Sequence, residues 1–231
     1  MEAALIRLSP RLRAVAELVP AGTAVADVGT DHAQLLAWLR RHGRITRGVG
    51  IDVVEGPLRQ AERTLSEARV QGVELRHGDG LRPLRAGEVE VVVLAGMGGA
   101  RMIRLLDAAP EVVEGLRRLV LQPNTDWVAM RRWVMEHGRL QDERMVEDRG
   151  KFYVVLGVEP GAPEATRWSE DELVLGPRLR RERPDPFVAW LRHERQRVER
   201  ALARAERGRD DAARVDELRE HRARVVAELE R

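Results

Sequence analysis

Val25-Ala-Asp-Val-Gly-Thr-Asp-His32 decides the fold. It begins as a β-branched, apolar run, stops on Gly29 and passes straight into a helical pattern over Asp31–Arg41. A strand that ends on glycine at the start of a helix lets the backbone approach a ligand at the helix's positive end. That end favours a carboxylate. One glycine is less than the Gly-x-Gly-x-x-Gly of dinucleotide binders, so an ordinary tight turn is the competing reading of the segment by itself.

Outward from this segment the first half of the chain alternates short β-branched runs with helical patterns, as a parallel sheet with crossover helices requires. Thr23–Val28, Arg47–Ile51, Val73–His77, Val89–Ala95 and Leu116–Gln122 give five strands. Asp31–Arg41, Pro57–Val70, Gly99–Ala108 and Asp126–His137 read as helices, with Pro57 at a first helical position. Ser9-Pro10 reads as the cap and first turn of a further helix that turns Leu12, Val15, Leu18 and Val19 inward. After Gly138 the alternation stops: Arg139–Glu147 and Phe152–Val158 read as two strands joined by Asp148-Arg149-Gly150, a hairpin.

Glu159-Pro-Gly-Ala-Pro163 supplies turn residues and marks a domain boundary, giving an α/β domain over 1–160 and a helical domain over 161–231. Phe187, Leu191, Val198, Leu202 and Ala205 form one apolar stripe; Val215, Leu218, Arg222, Val225 and Leu229 form another. With Gly208-Arg-Asp-Asp211 between them, they predict an antiparallel, coiled-coil-like hairpin in which Arg222 reaches to solvent.

Carboxylates fall at three successive strand ends. Asp27 lies in the first strand, Asp52 closes the second, where it can accept from ribose hydroxyls, and Asp79 follows the third between Gly78 and Gly80. Asp79 can accept from an adenine amine while the glycines leave room for the ring, or else simply form a turn. Together the three acids describe a nucleoside site. Gly96-Met97-Gly98-Gly99 adds a second glycine-rich approach, and Gln122-Pro123-Asn124 presents two amides to the same crevice or caps the following helix.

Composition narrows the function classes. The 231 residues contain no Cys, and the six His show no metal-ligand spacing, so neither a disulfide framework nor a metal is expected. No run is long enough to span a membrane, and charges interrupt Met1–Pro20, so a cytoplasmic protein without a signal peptide is expected. Net charge is +2, yet Pro177–Arg200 carries eight Arg against four acids. Such a patch suits a nucleic acid or is a solvated helix surface. Periodicity carries no oligomer signal and is compatible with a monomer.

The chain resembles the bacterial tRNA (adenine-22-N1)-methyltransferase family. The resemblance rests on Ala26-Asp-Val-Gly-Thr-Asp-His32, Asp52 with Glu55-Gly-Pro-Leu58, Gly78-Asp-Gly-Leu81, Ala95-Gly-Met-Gly-Gly99, Gln122-Pro-Asn124, Lys151-Phe-Tyr153 and Gly176-Pro177. These motifs run in family order over nearly the whole chain. After the His-Ala pair the family continues with Tyr and Pro, where this chain has Gln34 and Leu36.

The resemblance implies a Rossmann-like class I methyltransferase sheet closed by an antiparallel hairpin, plus a helical domain that contacts tRNA. It further implies that S-adenosylmethionine is the cofactor and that N1 of adenine 22 receives the methyl. On this reading Asp27, Gly29, Asp31, Asp52, Asp79, Gly80, Gly96 and Gly98 bind the cofactor. Asp31, His32, Met97 and Asn124 face the acceptor, His32 being alternatively a structural imidazole. Arg178, Arg180, Arg181, Arg192 and Arg195 are the RNA-contacting residues, with Arg183 and Arg197 beside them, and Tyr153 stacks on a base or fills the hairpin core. Alternatives are a methyltransferase for another RNA position or a small molecule, a non-catalytic RNA-binding adaptor, and an NAD-dependent oxidoreductase.

Overall fold

The computed structural model describes residues 6–161, 163–165, 167–207 and 212–231. Contacts divide the chain into two units, Met1–Arg167 and Trp168–Arg231.

In the first unit, β1 (Thr23–Val28), β2 (Ile45–Asp52), β3 (Val73–His77), β4 (Val91–Met97), β5 (Arg118–Pro123), β6 (Gly138–Asp148) and β7 (Lys151–Pro160) form one sheet in the order β3-β2-β1-β4-β5-β7-β6. All neighbours are parallel except β5–β7 and β6–β7. Strand order reverses at β1, which pairs with β2 on one side and β4 on the other. In open α/β sheets a crevice forms at the carboxyl ends of the strands at such a reversal.

The helices of this unit are α1 (Pro10–Leu18), α2 (Gln34–Arg41), α3 (Glu55–Glu67), α4 (Gly99–Asp107), α5 (Pro110–Glu114) and α6 (Trp127–His137). Ser9 caps α1 as expected: its hydroxyl accepts from the Leu12 amide at 3.3 Å, with Pro10 in the first turn. Val15, Leu18 and Val19 are buried with Leu35, Leu36, Leu39, Val25, Val91 and Val93 in one core against the sheet. Each such side chain contributes roughly 1.5–3 kcal/mol on leaving water.

The elements differ from the sequence reading chiefly around the helices. α2 begins at Gln34, because Asp31 and Ala33 take left-handed backbone (φ 50° and 52°) that no helix can include. α3 begins at Glu55, which puts Pro57 third in the helix. The short helix α5, led by Pro110, was not anticipated, since five residues offer no periodicity to read.

The hairpin is as expected but longer. Arg149 (φ 53°) and Gly150 (φ 74°) form a two-residue loop with both residues left-handed, the geometry that matches strand twist. Behind it, Arg131 of α6 donates to Glu143 of β6 at 2.8 Å, with both side chains essentially fully buried. The first unit also extends past the expected boundary, because Glu164 accepts from the Leu140 amide at 2.8 Å and its own amide donates to the Met135 carbonyl at 3.2 Å.

The second unit contains α7 (Glu170–Leu175), α8 (Pro177–Glu182), α9 (Asp185–Ala205) and α10 (Ala212–Glu230). Ser169 and Glu172 form a capping box on α7. α9 and α10 pack through Val198, Leu202, Ala205 and Leu218, with Phe187 and Leu191 buried farther along α9. Ion pairs Glu206–Arg219 (3.1 Å) and Glu194–His221 (2.7 Å) join the two helices. Arg222 is exposed and lies 3.6 Å from Glu199, as its snorkelling role requires. The expected Gly208–Asp211 connection lies outside the described residues.

Removing Arg131 takes away the 2.8 Å ion pair that offsets the burial of the Glu143 charge. Arg131→Met is expected to destabilise the first unit by about 3–5 kcal/mol in urea unfolding, whereas Arg131→Met with Glu143→Leu is expected near wild type. Equal losses in the two variants would show that the pair is not what Arg131 supplies.

Candidate active site

The carboxyl ends of β1, β2 and β4 open on a cavity of about 400 Å³ lined by Arg11, Leu12, Asp27, Gly29, Thr30, Asp31, His32, Gln34, Leu35, Asp52, Ala95 and Gly96. The loop after β1 enters it through alternating left-handed residues: Gly29 (φ 77°), Asp31 (φ 50°) and Ala33 (φ 52°). Two of these are not glycine, so the loop stores strain, which its hydrogen bonds must hold. The Gly29 and Thr30 amides both donate to the Ile51 carbonyl (2.8 and 3.1 Å), and the Asp31 amide donates to Asp52 Oδ2 at 3.3 Å. Asp52 Oδ1 accepts from the Val54 amide at 3.0 Å. One carboxylate thus ties together the loops that follow β1 and β2.

Asp27 is 5% exposed and accepts from the Thr30 hydroxyl at 2.9 Å. Burial pushes its carboxyl up to about 6; the Thr30 hydrogen bond opposes that shift, and the charges of Asp52 and Asp31 add to it. Asp31 stands at the mouth with a side chain 67% exposed, its Oδ1 3.5 Å from His32 Nε2.

Opposite, the backbone is left bare. A Cβ at Gly29 would stand 3.0 Å from Met97 Cε, and one at Gly96 (φ 82°) would stand 3.1 Å from Arg11 Nη1. Arg11 Nη1 donates to Gln122 Oε1 at 2.7 Å, Gln122 Nε2 donates to Asn124 Oδ1 at 3.1 Å, and Asn124 Nδ2 donates to the Gly96 carbonyl at 2.7 Å. Gln122 is fully buried within this relay and does not face the crevice as expected, whereas Asn124 is exposed at its end. Tyr153 is half-buried with the Arg11 guanidinium 5.4 Å from its ring centre, so it has a partner on one face already.

Other expected site residues are placed differently. Asp79 lines an adjoining depression of about 240 Å³ with Leu81, Arg82, Arg101, Arg104 and Leu105, connected to Asp52 through the Gly78 amide, which donates to the Asp52 carbonyl at 3.0 Å. Gly78 and Gly80 do not leave room for a ring. Cβ atoms there would meet Pro83 Cγ at 2.4 Å and Leu105 Cδ2 at 2.6 Å, so the missing side chains admit the protein's own packing. Gly98 likewise lies against Thr125 Oγ1, 3.1 Å from where its Cβ would be, at the start of α4, and Asp126 Oδ2 accepts from the Ala100 amide at 3.3 Å.

In the second unit, Arg180 and Arg183 both donate to the buried Glu228 (2.7 and 2.8 Å), and Arg197 donates to Glu194 through two bonds of 2.6 Å. These arginines neutralise buried acids. Arg178 (3.5 Å) and Arg181 (3.2 Å) pair more loosely with Glu182, and Arg192 and Arg195 are exposed on α9. Sequence reasoning missed Arg11, Thr30 and Gln34 in the cavity wall, and the exposed Val53 and Val54 beside Asp52. Arg11 had no distinguishing signal in a chain whose forty basic residues include one lysine.

The Asp27 carboxyl should titrate near pH 6 by carbon-detected NMR. Thr30→Val is expected to raise that value and Asp52→Asn to lower it. Because the folded value lies above the ordinary 3.8, the native state gains a proton that the unfolded chain lacks. Asp27 therefore adds stability as pH falls through about 6, and this gain is complete below 3.8. A carboxyl that titrates near 4 in the folded protein would refute the assignment.

Among the described residues no group of three or more acidic or histidine side chains is placed to hold a metal ion, and no helix is long and apolar enough to cross a membrane. The methyltransferase domain family matches residues 8–156. The tRNA (adenine(22)-N(1))-methyltransferase of Bacillus subtilis (strain 168) is 31% identical over 220 residues, covering 93% of this chain and 92% of that protein. The crystal structure of the B. subtilis m1A22 tRNA methyltransferase aligns with a TM-score of 0.85 at 29% identity, covering 97% of this chain and all of the other. A Streptococcus pneumoniae protein solved in complex with S-adenosyl-L-methionine gives 0.85 at 29% identity over 96% of this chain and all of its own. With the reversal of strand order at β1, the acidic crevice and these similarities together, the chain belongs to the tRNA (adenine(22)-N(1))-methyltransferase family of class I methyltransferases.

Proposed function

We propose that this protein transfers a methyl group from S-adenosylmethionine to N1 of adenine 22 in tRNA. The observation that carries the reading is the crevice at β1, β2 and β4, where three carboxylates meet bare glycine backbone, in a chain similar end to end to an enzyme of that name. The residues fit the cofactor. Asp52 is placed for ribose hydroxyls, and Val53 and Val54, the exposed large aliphatic side chains of the described residues, offer an apolar face to adenine. Asp27 and Asp31 supply negative charge for a donor that carries two positive groups, and Gly29 and Gly96 allow close approach.

Bound S-adenosylmethionine supplies a methyl group activated by a sulfonium. The adenine N1 lone pair is already nucleophilic in the neutral base, so the protein must chiefly align it and need not deprotonate it. N1 lies on the pairing edge, which requires adenine 22 to be unpaired or flipped into the crevice. Positive charge grows on the base as it is methylated; we assign the Asp31 carboxylate at the mouth to stabilising that charge, and Met97, whose Cε lies beside Gly29, with Asn124, which donates to the Gly96 carbonyl, to seating the ring. His32 stands beside Asp31, its Nε2 3.5 Å from that carboxylate, and we assign it to the acceptor side with Asp31.

On the tRNA side we assign Arg192 and Arg195 to phosphate contacts, with Arg178 and Arg181 in support, because Arg180, Arg183 and Arg197 are held by buried acids. We take the units divided at Arg167 and Trp168 as the catalytic and tRNA-grasping domains.

Incubation with transcribed tRNA and methyl donor, followed by nucleoside analysis, should yield 1-methyladenosine, and tRNA carrying guanosine at position 22 should yield none. Asp31→Asn, which tolerates the left-handed backbone, should lower kcat by about 10- to 100-fold and weaken donor binding as well. A different methylated nucleoside would overturn the specific reaction.

The double variant Arg192→Ala/Arg195→Ala should weaken tRNA binding and reduce the slope of log affinity against log salt by roughly 1 to 2, with donor binding unchanged. An unaltered slope would remove these residues from the interface.

A further inference from the structure

Three guanidiniums gather in the first unit without an acid to meet. Arg101 and Arg104, three apart on one face of α4, and Arg82, in the turn after β3, line the depression of about 240 Å³ that Asp79 also borders. All three are exposed, and among the described residues none of their side chains donates a hydrogen bond or stands in an ion pair. Asp79 shares the wall and pairs with none of them. The acids of α4 and of the loop against it are engaged elsewhere: Asp107 accepts from Trp133 Nε1 at 2.7 Å, and Asp126 Oδ2 accepts from the Ala100 amide (3.3 Å) and the Thr125 hydroxyl (2.8 Å). The rest of the wall, Leu81, Leu105, Ala108 and Ala109, offers no acceptor side chain.

At two other places where arginines gather, a glutamate stands among them. Glu88 lies between Arg47 (3.8 Å) and Arg76 (2.5 Å), and Glu228 takes Arg180, Arg183 and Arg231 at 2.7, 2.8 and 3.0 Å. The depression holds a similar gathering without such an acid, and a concave wall of one sign concentrates its potential on whatever enters. The backbone keeps it together. Gly80 (φ 59°) has no Cβ, and Leu105 Cδ2 lies 2.6 Å from where one would stand, which seats the Arg82 turn against α4.

An acidic crevice and an RNA substrate conflict. Asp27, Asp31 and Asp52 repel a phosphodiester backbone, yet the acceptor base must come to them with its own phosphates attached. A cationic seat for the backbone beside the crevice resolves the conflict. We infer that Arg82, Arg101 and Arg104 hold a backbone phosphate of the tRNA strand next to the base that enters the crevice. Guanidinium forks match phosphate oxygens and keep their charge throughout the physiological pH range. The depression is joined to the crevice at the same edge of the sheet, because the Gly78 amide donates to the Asp52 carbonyl at 3.0 Å and β3 is the neighbour of β2. The inference rests on tRNA as the substrate, and it adds a contact on the catalytic unit to those assigned to Arg192 and Arg195 on the other.

The test measures tRNA affinity of the full-length protein as a function of salt by filter binding, with calorimetric titration of S-adenosylhomocysteine as the check on folding. Arg101→Gln/Arg104→Gln should weaken tRNA binding about 10-fold and reduce the slope of log affinity against log salt by roughly 1 to 2, while S-adenosylhomocysteine affinity stays within about twofold. Adding Arg82→Gln should bring the reduction to roughly 2 to 3. Arg101→Lys/Arg104→Lys should restore most of the slope, because lysine keeps the charge. Arg63→Gln/Arg117→Gln removes the same charge from exposed positions outside the depression and should leave the slope as in wild type. Arg104→Gln alone carries the comparison, with a slope change of about 1, should the double variant fail to fold. An unaltered slope in the depression variants, or an equal loss in the Arg63 and Arg117 variant, would overturn the assignment. Wild-type protein that does not bind tRNA would overturn the substrate reading, and the inference with it, a result distinct from either.

Discussion

β1 is hydrogen-bonded to β2 on one side and β4 on the other, and this pairing sets the position of everything else. The crossover from β1 runs to β2 on one side and the chain returns from β3 to β4 on the other, so neither connection covers the carboxyl end of β1 and a crevice remains there. The loop after β1 must turn into α2 beside that gap, and it does so with three left-handed residues in five. Such a loop persists only where its surroundings over-determine it, and here the Ile51 carbonyl and the Asp52 carboxylate do so.

The cost of that arrangement falls on Asp27. Pinned under Thr30 and close to two other carboxylates, it is held at a raised value by burial first and by Asp52 and Asp31 afterwards. A carboxyl that resists ionisation because it is buried among other acids is relieved by a cation beside it. The acidity of the site is thus an unfavourable feature of the folded chain, of the kind that marks functional sites. By contrast, Glu88 and Glu194 are held down to about 2, by Arg76 and by Arg197 with His221, and serve the scaffold only.

The second unit repeats the lesson about charge. Its arginines look alike in sequence, but two buried glutamates sort them: Glu228 takes Arg180, Arg183 and Arg231, and Glu194 takes Arg197. Burying a carboxylate without such partners would cost several kcal/mol, so these arginines are committed to the helical packing and Arg192 and Arg195 are left for solvent or ligand.

By itself the sequence determined the alternation of strands and helices, the closing hairpin, the capped first helix and the apolar seam of α9 and α10. Each of these is a local pattern of period two or 3.6 with its own stop signals, and local patterns survive in one dimension. The acids at the strand ends were legible for the same reason, since a strand's carboxyl edge is a position in the chain. Only the tertiary structure decided which of them share a cavity, separating Asp79 from Asp27 and Asp52 and filling the spaces at Gly78 and Gly80 with Pro83 and Leu105. Arg11 came into the site in the same way, 111 positions from the Gln122 that orients it. The reason is physical: a glycine's missing side chain or an arginine's charge acquires meaning from what packs against it, and those neighbours are set by strand order, which residue spacing does not encode.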